Sequence, residues 1–154
     1  MRSRIARIVA PALLAMTLAG ACSGGGVSKE EFVEAADAVC READEAIRAI
    51  GAPRVEESVR DYVDDATRIG EDLVTELRDL EKPEGAGDTV QPMIDGIEDA
   101  IALLEPLAEA IVDRDSEAVA ELQEQAEQVT DEISEAAESY GFEACGGKVL
   151  QPTS

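Results

Sequence analysis

Between Val119 and Tyr140 an apolar stripe runs through Val119, Leu122, Ala126, Val129, Ile133, Ala136 and Tyr140, in steps that alternate between three and four. That period is the seam of a helix packed against other helices. Three more stripes of the same kind precede it. The first is Phe32, Ala36, Val39, Ala43, Ile47 and Ile50. The second is Val55, Val59, Tyr62, Ala66, Ile69, Leu73, Leu77 and Leu80, and the third is Val90, Ile94, Ile97, Ile101, Leu104, Leu107 and Ile111. No run alternates apolar with polar as a half-buried strand would. Four amphipathic helices on short connections bury their stripes best against one another, so the expected fold is all-α, an up-down-up-down four-helix bundle. The alternative is a three-helix unit with helix one or helix three broken or displaced. The chain has no Trp, two Phe and two Tyr, so its core must be built from Leu, Ile, Val and many Ala.

Punctuation between the stripes sets the expected ends. Ser28 and Glu31 have the spacing of a capping box, with Val27 and Phe32 at the hydrophobic-staple positions. Gly51 should end helix one, and Pro53 suits the first turn of helix two, where a missing amide hydrogen costs least. Pro83 to Gly87 breaks helix two, and helix three is expected to start between Asp88 and Pro92. Pro106 should bend helix three, because its ring clashes with the carbonyl of Ala102. Asp113 to Asp115 reads as a turn, and Gly141 as a left-handed C-cap followed by a short tail.

The first 21 residues have a different character. Arg2, Arg4 and Arg7 precede an apolar run from Ile8 to Leu18, interrupted only by Pro11 and Thr17. A membrane span needs roughly 20 apolar residues, so this run is too short for one and fits the hydrophobic region of an export signal. Small residues then lead to Cys22. The pattern resembles the signal of bacterial lipoproteins, in which such a cysteine follows the cleavage site and receives a diacylglycerol. That family usually carries Leu three residues before the cysteine, whereas here Leu18 is four before it. Ala19-Gly20-Ala21 also reads as an ordinary signal-peptidase site. Both readings cut before Cys22 and differ in whether the protein stays on the membrane. The expected organisation is a signal peptide over 1–21, a lipidated Cys22 with a Gly-rich tether over 22–27, and a helical domain over 28–154. Ser23 to Gly26 reach on the order of 11 Å, which keeps the domain close to the bilayer.

The cysteines follow from that address. Lipidation of Cys22 consumes one of three and leaves Cys40 and Cys145 as a pair in an oxidising setting, where disulfides persist. The other reading is two buried apolar thiols. For a bond to form, the tail after Gly141 has to fold back along helix one by roughly 15 Å, which Glu143 and Ala144 alone do not easily span, so helix one is also expected to begin beyond the end of helix four. Cys40 in the first helix and the closing Tyr140-Gly141-Phe142-Glu143-Ala144-Cys145-Gly146, in a lipid-anchored, Ala-rich acidic chain, resemble small actinobacterial lipoproteins for which no activity is established. The resemblance implies an extracytoplasmic helical domain with a disulfide.

Charge and composition narrow the chemistry. Loss of Arg2, Arg4 and Arg7 takes Lys plus Arg from 13 to 10 against 35 acidic residues, moving the net charge from −22 to −25. Such a chain is not expected to bind nucleic acid, which demands a basic footprint. Attachment to a membrane has to come from the lipid on Cys22. No His is present, which removes Ser-His and Cys-His nucleophiles, imidazole zinc sites and the Glu-x-x-His di-iron motif. Gly24 to Gly26 follow no strand and lack the lysine of a phosphate loop. The chain is therefore not expected to be an enzyme or to carry a cofactor or tight metal site. Glu117, Glu121, Glu124, Asp131, Glu135 and Glu138 gather on one face of the last helix. They read as a solvated surface or as a docking face for a basic envelope protein, with loose divalent-cation binding as a variant. Two functions remain: a membrane-tethered interaction or accessory module of the cell envelope, or a lipoprotein that binds a small ligand between its helices.

Overall fold

Ser28 opens helix α1, Lys29–Ile50, and does so reciprocally. The amide of Glu31 donates to Ser28 Oγ at 3.2 Å, and the amide of Ser28 donates to Glu31 Oε2 at 2.9 Å. These bonds hold the Glu31 carboxyl below its usual range, the bond from the Ser28 amide contributing most. Gly51, at φ 68°, ends the helix as expected. The computed structural model describes residues 26–53 and 57–146; Cys22, the tether up to Gly25, Val55 and Lys148 lie outside the described residues.

Helix α2 runs Glu57–Asp79. Pro53 is not helical, so it does not take the expected first-turn position. Helix α3, Gly87–Ala102, begins one residue before the expected window. The reason is a backbone turn rather than a side-chain cap. The amide of Ala86 donates to the carbonyl of Pro83, and Ala86 in turn accepts from Thr89 and Val90. Nothing in the side chain of Ala86 advertises such a start. Pro92 lies inside α3 as well.

Pro106 acts as its ring geometry demands. The helix breaks at Leu103, one residue after the carbonyl that the ring would strike, and resumes as α4, Leu104–Asp113. Pro106 thus occupies the first turn of α4, where no intrahelical amide bond is required. At the break the Leu103 amide bonds the carbonyl of Ala100, three residues back. Arg114 turns the chain with φ 59°, and Asp115 caps α5, Ser116–Tyr140, by accepting from the Ala118 amide at 3.1 Å. The end of α5 is a Schellman motif. Gly141 at φ 104° donates to Glu138, and Phe142 donates to Ala137 at 3.0 Å.

With α3 and α4 as two halves of one broken column, the molecule is a four-helix all-α bundle, and no described residue forms a strand. No described helix is long and apolar enough to cross a membrane. The closest pairing is α3 against α5; α2 lies between α1 and α3, and α4 packs on α2 and α5. A single cluster joins Phe32, Ala36, Cys40 and Ile47 of α1, Leu73 and Leu77 of α2, Val90, Met93, Ile94 and Ile97 of α3, and Ile133 and Ala137 of α5. Gly96 allows the tight α3–α5 approach, since a Cβ there would sit 2.7 Å from Ile133 Cγ1.

The seam of α5 is covered unevenly. Ile133 and Tyr140 are buried, whereas Val119, Leu122, Ala126 and Val129 are only half-buried. This first half faces the short α4 and has less helix to pack against.

Candidate functional site

Two features stand out once the bundle is assembled: a cross-linked hook at one side and an apolar cavity beside it. The hook begins where α5 stops. Phe32, Tyr140 and Phe142 form an aromatic cluster, with ring centroids 5.9 Å apart for Phe32–Tyr140 and 5.0 Å for Tyr140–Phe142. Residue 32 of α1 and residue 140 of α5 are therefore level. Lys29 Nζ lies over the Tyr140 ring at 4.6 Å. Burial, and then the nearby charge of Glu30, push the Tyr140 phenol up.

From Gly141 the chain turns back along α1. Asp37, which is buried, accepts from the amides of Glu143 at 3.1 Å and Ala144 at 2.8 Å. Cys145 then meets Cys40 with sulfurs 2.08 Å apart and Cα atoms 5.2 Å apart, a disulfide closing a separation of 105 residues. From Phe32 to Cys40 is eight helical residues, roughly 12 Å, which the chain from Gly141 to Cys145 covers. The fold-back is thus shared: α1 begins at Lys29, about a turn beyond the end of α5, and the tail covers the rest. It is this hook, and not close backbone packing of α1 on α5, that ties the first helix to the end of the last.

Cys145 also lines a partly open cavity of about 300 Å³ between α2, the α3–α4 column and α5. Its walls are Val59, Tyr62, Val63 and Leu73 of α2, Ile97 to Ile111 on the broken column, and Ala126, Thr130 and Ile133 of α5. Buried Val59 and Ala108 border the cavity and stand apart from the main core cluster. The cavity follows directly from two sequence features. Pro106 breaks the column that would otherwise pack straight along α5, and small residues at Ala100, Ala108 and Ala126 leave the space unfilled.

Tyr62, one of the lining residues, carries an anomalous polar atom that does not open on the cavity. Tyr62 Oη is inaccessible to solvent and has no hydrogen-bond partner, the one buried side-chain polar atom so placed among the described residues. A buried hydroxyl left unpaired costs about 1–3 kcal/mol. Burial also pushes the phenol above its usual range, so it remains a proton-bearing donor. In the sequence Tyr62 reads as one apolar residue in the stripe of α2. The signal that could have singled it out is that Tyr, unlike Leu or Ile, brings a hydroxyl that the interior must satisfy.

The six carboxylates of the acidic face, Glu117, Glu121, Glu124, Asp131, Glu135 and Glu138, are all exposed on α5. None takes part in an ion pair; the ion pairs among the described residues are Arg48–Asp44, Arg68–Asp65 and Arg78–Glu98. No group of three or more acidic or cysteine side chains that could hold a metal ion occurs among the described residues. Cys40 and Cys145 come together, and Cys22 lies outside the described residues. Comparison with protein-family models, curated proteins and solved structures finds no match for this chain.

Proposed function

We propose that the protein is anchored by lipid on Cys22 to the extracytoplasmic face of the cell membrane and binds a small apolar molecule between its helices. The anchor rests on the basic start of the chain, the short apolar run and the cysteine after small residues. The binding function rests on one observation: an apolar cavity of about 300 Å³ between α2, the broken column and α5. Ligand sites are mostly apolar, with a few placed polar groups, and this volume is at the lower end of their range. No step of chemistry is assigned, and the role is one of carrying or sensing.

Both halves are testable on the full chain. Intact mass of the protein from its membrane fraction should show acyl additions on Cys22, and Cys22→Ser should move it to the soluble fraction. A Cys22→Ser protein that still sediments with membranes would refute the anchor. For binding, the soluble Cys22→Ser protein should take up an apolar reporter saturably, one per chain. Ala126→Leu and Ala100→Leu, which narrow the cavity, should weaken uptake while circular dichroism stays helical. Non-saturable uptake, or saturable uptake indifferent to both changes, would refute the cavity as the site.

The second reading is an interaction module. The observation favouring it is the exposed, unpaired row of carboxylates along α5, which complements a basic envelope protein. Such docking would weaken steeply with salt. A partner retained at high ionic strength would not be held by this face.

A further inference from the structure

The ring of helices is not closed all the way round. α1 packs on α2, α2 on α3, and α3 on α5, but among the described residues neither α1 nor α2 meets α5 backbone to backbone. The hook fills that gap at one end, where Phe142 and Cys145 are buried against the core. Beyond the hook the gap is the open side of the cavity. There α2 and α5 are its walls, the broken column is its floor, and no described residue of α1 lines it.

The hook also has a direction. It leaves α5 at the level of Phe32 and reaches Cys40, so it climbs α1 toward the α1–α2 connection. From Phe32 to Cys40 is roughly 12 Å of helix, and from Tyr140 to Ile133 roughly 10 Å, so Cys145 and Ile133 stand at about one level. Both line the near end of the cavity, whereas Gln123, about 15 Å further along α5, and Pro53, beyond α1, mark its far end. Residues 147–151, continuing in the same direction at about 3.3 Å each, are long enough to cross it.

The chemistry of this stretch suits that path. Val149 and Leu150 are adjacent apolar residues, and at that reach they come over the far half of an apolar trough. Lys148 is the first basic residue after Arg114, and it would pass α5, a helix with no basic residue of its own whose exposed Glu127 lines the cavity. The disulfide fixes the start of the stretch beside the opening. Docking is therefore intramolecular, at an effective concentration on the order of millimolar.

Building on the binding reading above, we propose that residues 147–151 lie across the open side of the cavity as a lid, with Val149 and Leu150 inserted, and that a ligand enters by displacing them. The lid shields the apolar walls from water when no ligand is bound. It also lowers the apparent affinity by the fraction of chains in which it is out, so only a ligand that outcompetes it is retained.

The test reads the lid in two ways on the full chain carrying Cys22→Ser. Tryptic cleavage after Lys148, followed by intact mass, tracks the population with the lid out when opening is fast. It should run about tenfold slower than in a synthetic peptide of residues 146–154, and a saturating apolar reporter should restore the peptide's rate. Val149→Ser combined with Leu150→Ser, compared with a peptide of its own sequence, should lose the protection. The same variant should bind the reporter tighter by about the same tenfold, because both readouts report one equilibrium. A bond cut at the peptide's rate in the parent, protection that bound reporter leaves in place, or a serine variant that binds reporter no better would each overturn the lid while the cavity remains a binding site. If neither the parent nor the serine variant takes up reporter, the binding reading fails and the lid falls with it.

Discussion

The carboxylate of Asp37, on the first helix, accepts a hydrogen bond of 2.8 Å from the backbone amide of Ala144, more than a hundred residues away. A second bond of 3.1 Å comes from the neighbouring amide of Glu143. Asp37 is the one buried charged residue among the described residues, and its burial is compensated because two amides face it. The hook needs this partner, since the backbone groups of an irregular segment packed against α1 have no regular ladder to join.

Asp37→Ala should therefore destabilise the domain by about 2–3 kcal/mol, because it leaves two amides without their acceptor. Asp37→Asn keeps the shape and one acceptor oxygen, so it should cost less. Urea unfolding of the three proteins, compared at constant slope, measures the difference. Equal stability of the alanine variant and the parent would show that water replaces the carboxylate at no cost.

The disulfide closes a 105-residue separation. The chain-entropy model assigns a loop of that size about 4–5 kcal/mol. Cys40→Ser with Cys145→Ser should lower unfolding free energy by up to this amount, and the drop should be smaller where Asp37 still holds the hook. Alkylation of the unfolded, unreduced protein exported by its own host should find neither thiol. Two reactive thiols per chain would refute the bond.

The parts of this fold that were readable in the sequence act through near neighbours or through countable chemistry. Ser28 with Glu31, the break before Pro106 and the left-handed Gly141 are local signals that no tertiary contact overrides. The Cys40–Cys145 pair emerges once Cys22 is set aside. Asp37 was invisible because one more carboxylate in an acidic helix carries no mark of a partner 107 residues on. The start of α3 at Gly87 was hidden for a local reason, as a backbone turn at Ala86 replaces the usual capping side chain. Tyr62 was placed on the correct face, but periodicity reports which face is buried and not whether a hydroxyl there finds a partner. The cavity depends on how far a broken column diverges from α5, a quantity no spacing encodes.

Gly96 should not tolerate a side chain. Ala has a helix preference about 1 kcal/mol better than Gly, so a free helix would gain from Gly96→Ala. Here the new Cβ would meet Ile133 Cγ1 at 2.7 Å, an atom too near its backbone to swing aside. Overpacking costs about 1–3 kcal/mol, so the net effect should be a loss. Ile133→Ala removes the clash at the expense of a cavity, and the double variant should be more stable than the sum of the single losses predicts. Additive losses in that cycle would show that the two residues do not press on each other.

Tyr62→Phe should stabilise the unliganded protein by about 1 kcal/mol, because the hydroxyl it removes is buried without a partner. The same position governs behaviour in alkali. Burial raises the folded-state pKa of Tyr62 above its ordinary value of 10.0, and Tyr140 is raised too. Stability from these groups is fully present below the unfolded value and is lost as pH rises through the folded one, because the unfolded chain releases its protons first. Thermal melts between neutral pH and about pH 11 should show a decline that Tyr62→Phe makes shallower without abolishing, since Tyr140 remains. A steeper decline in the variant would mean that the Tyr62 hydroxyl is not buried in the folded state.

The acidic face of α5 should be dispensable for folding. Glu117, Glu121, Glu124, Asp131, Glu135 and Glu138 recur at steps of three, four and seven and lie opposite the apolar seam. Like charges three or four residues apart on a helix repel by a few tenths of a kcal/mol per pair, and none of these six is relieved by an ion pair. Replacing Glu121, Glu124 and Asp131 with glutamine removes the closest repulsions along with part of a large excess of negative charge. The melting temperature should hold or rise, and any rise should shrink as salt screens the parent's charges. A fall of more than about 5 °C, roughly 1–2 kcal/mol for a domain of this size, would show that these carboxylates support the fold. If the fold is unchanged and a basic envelope partner is lost, the second reading of the function gains its first direct support.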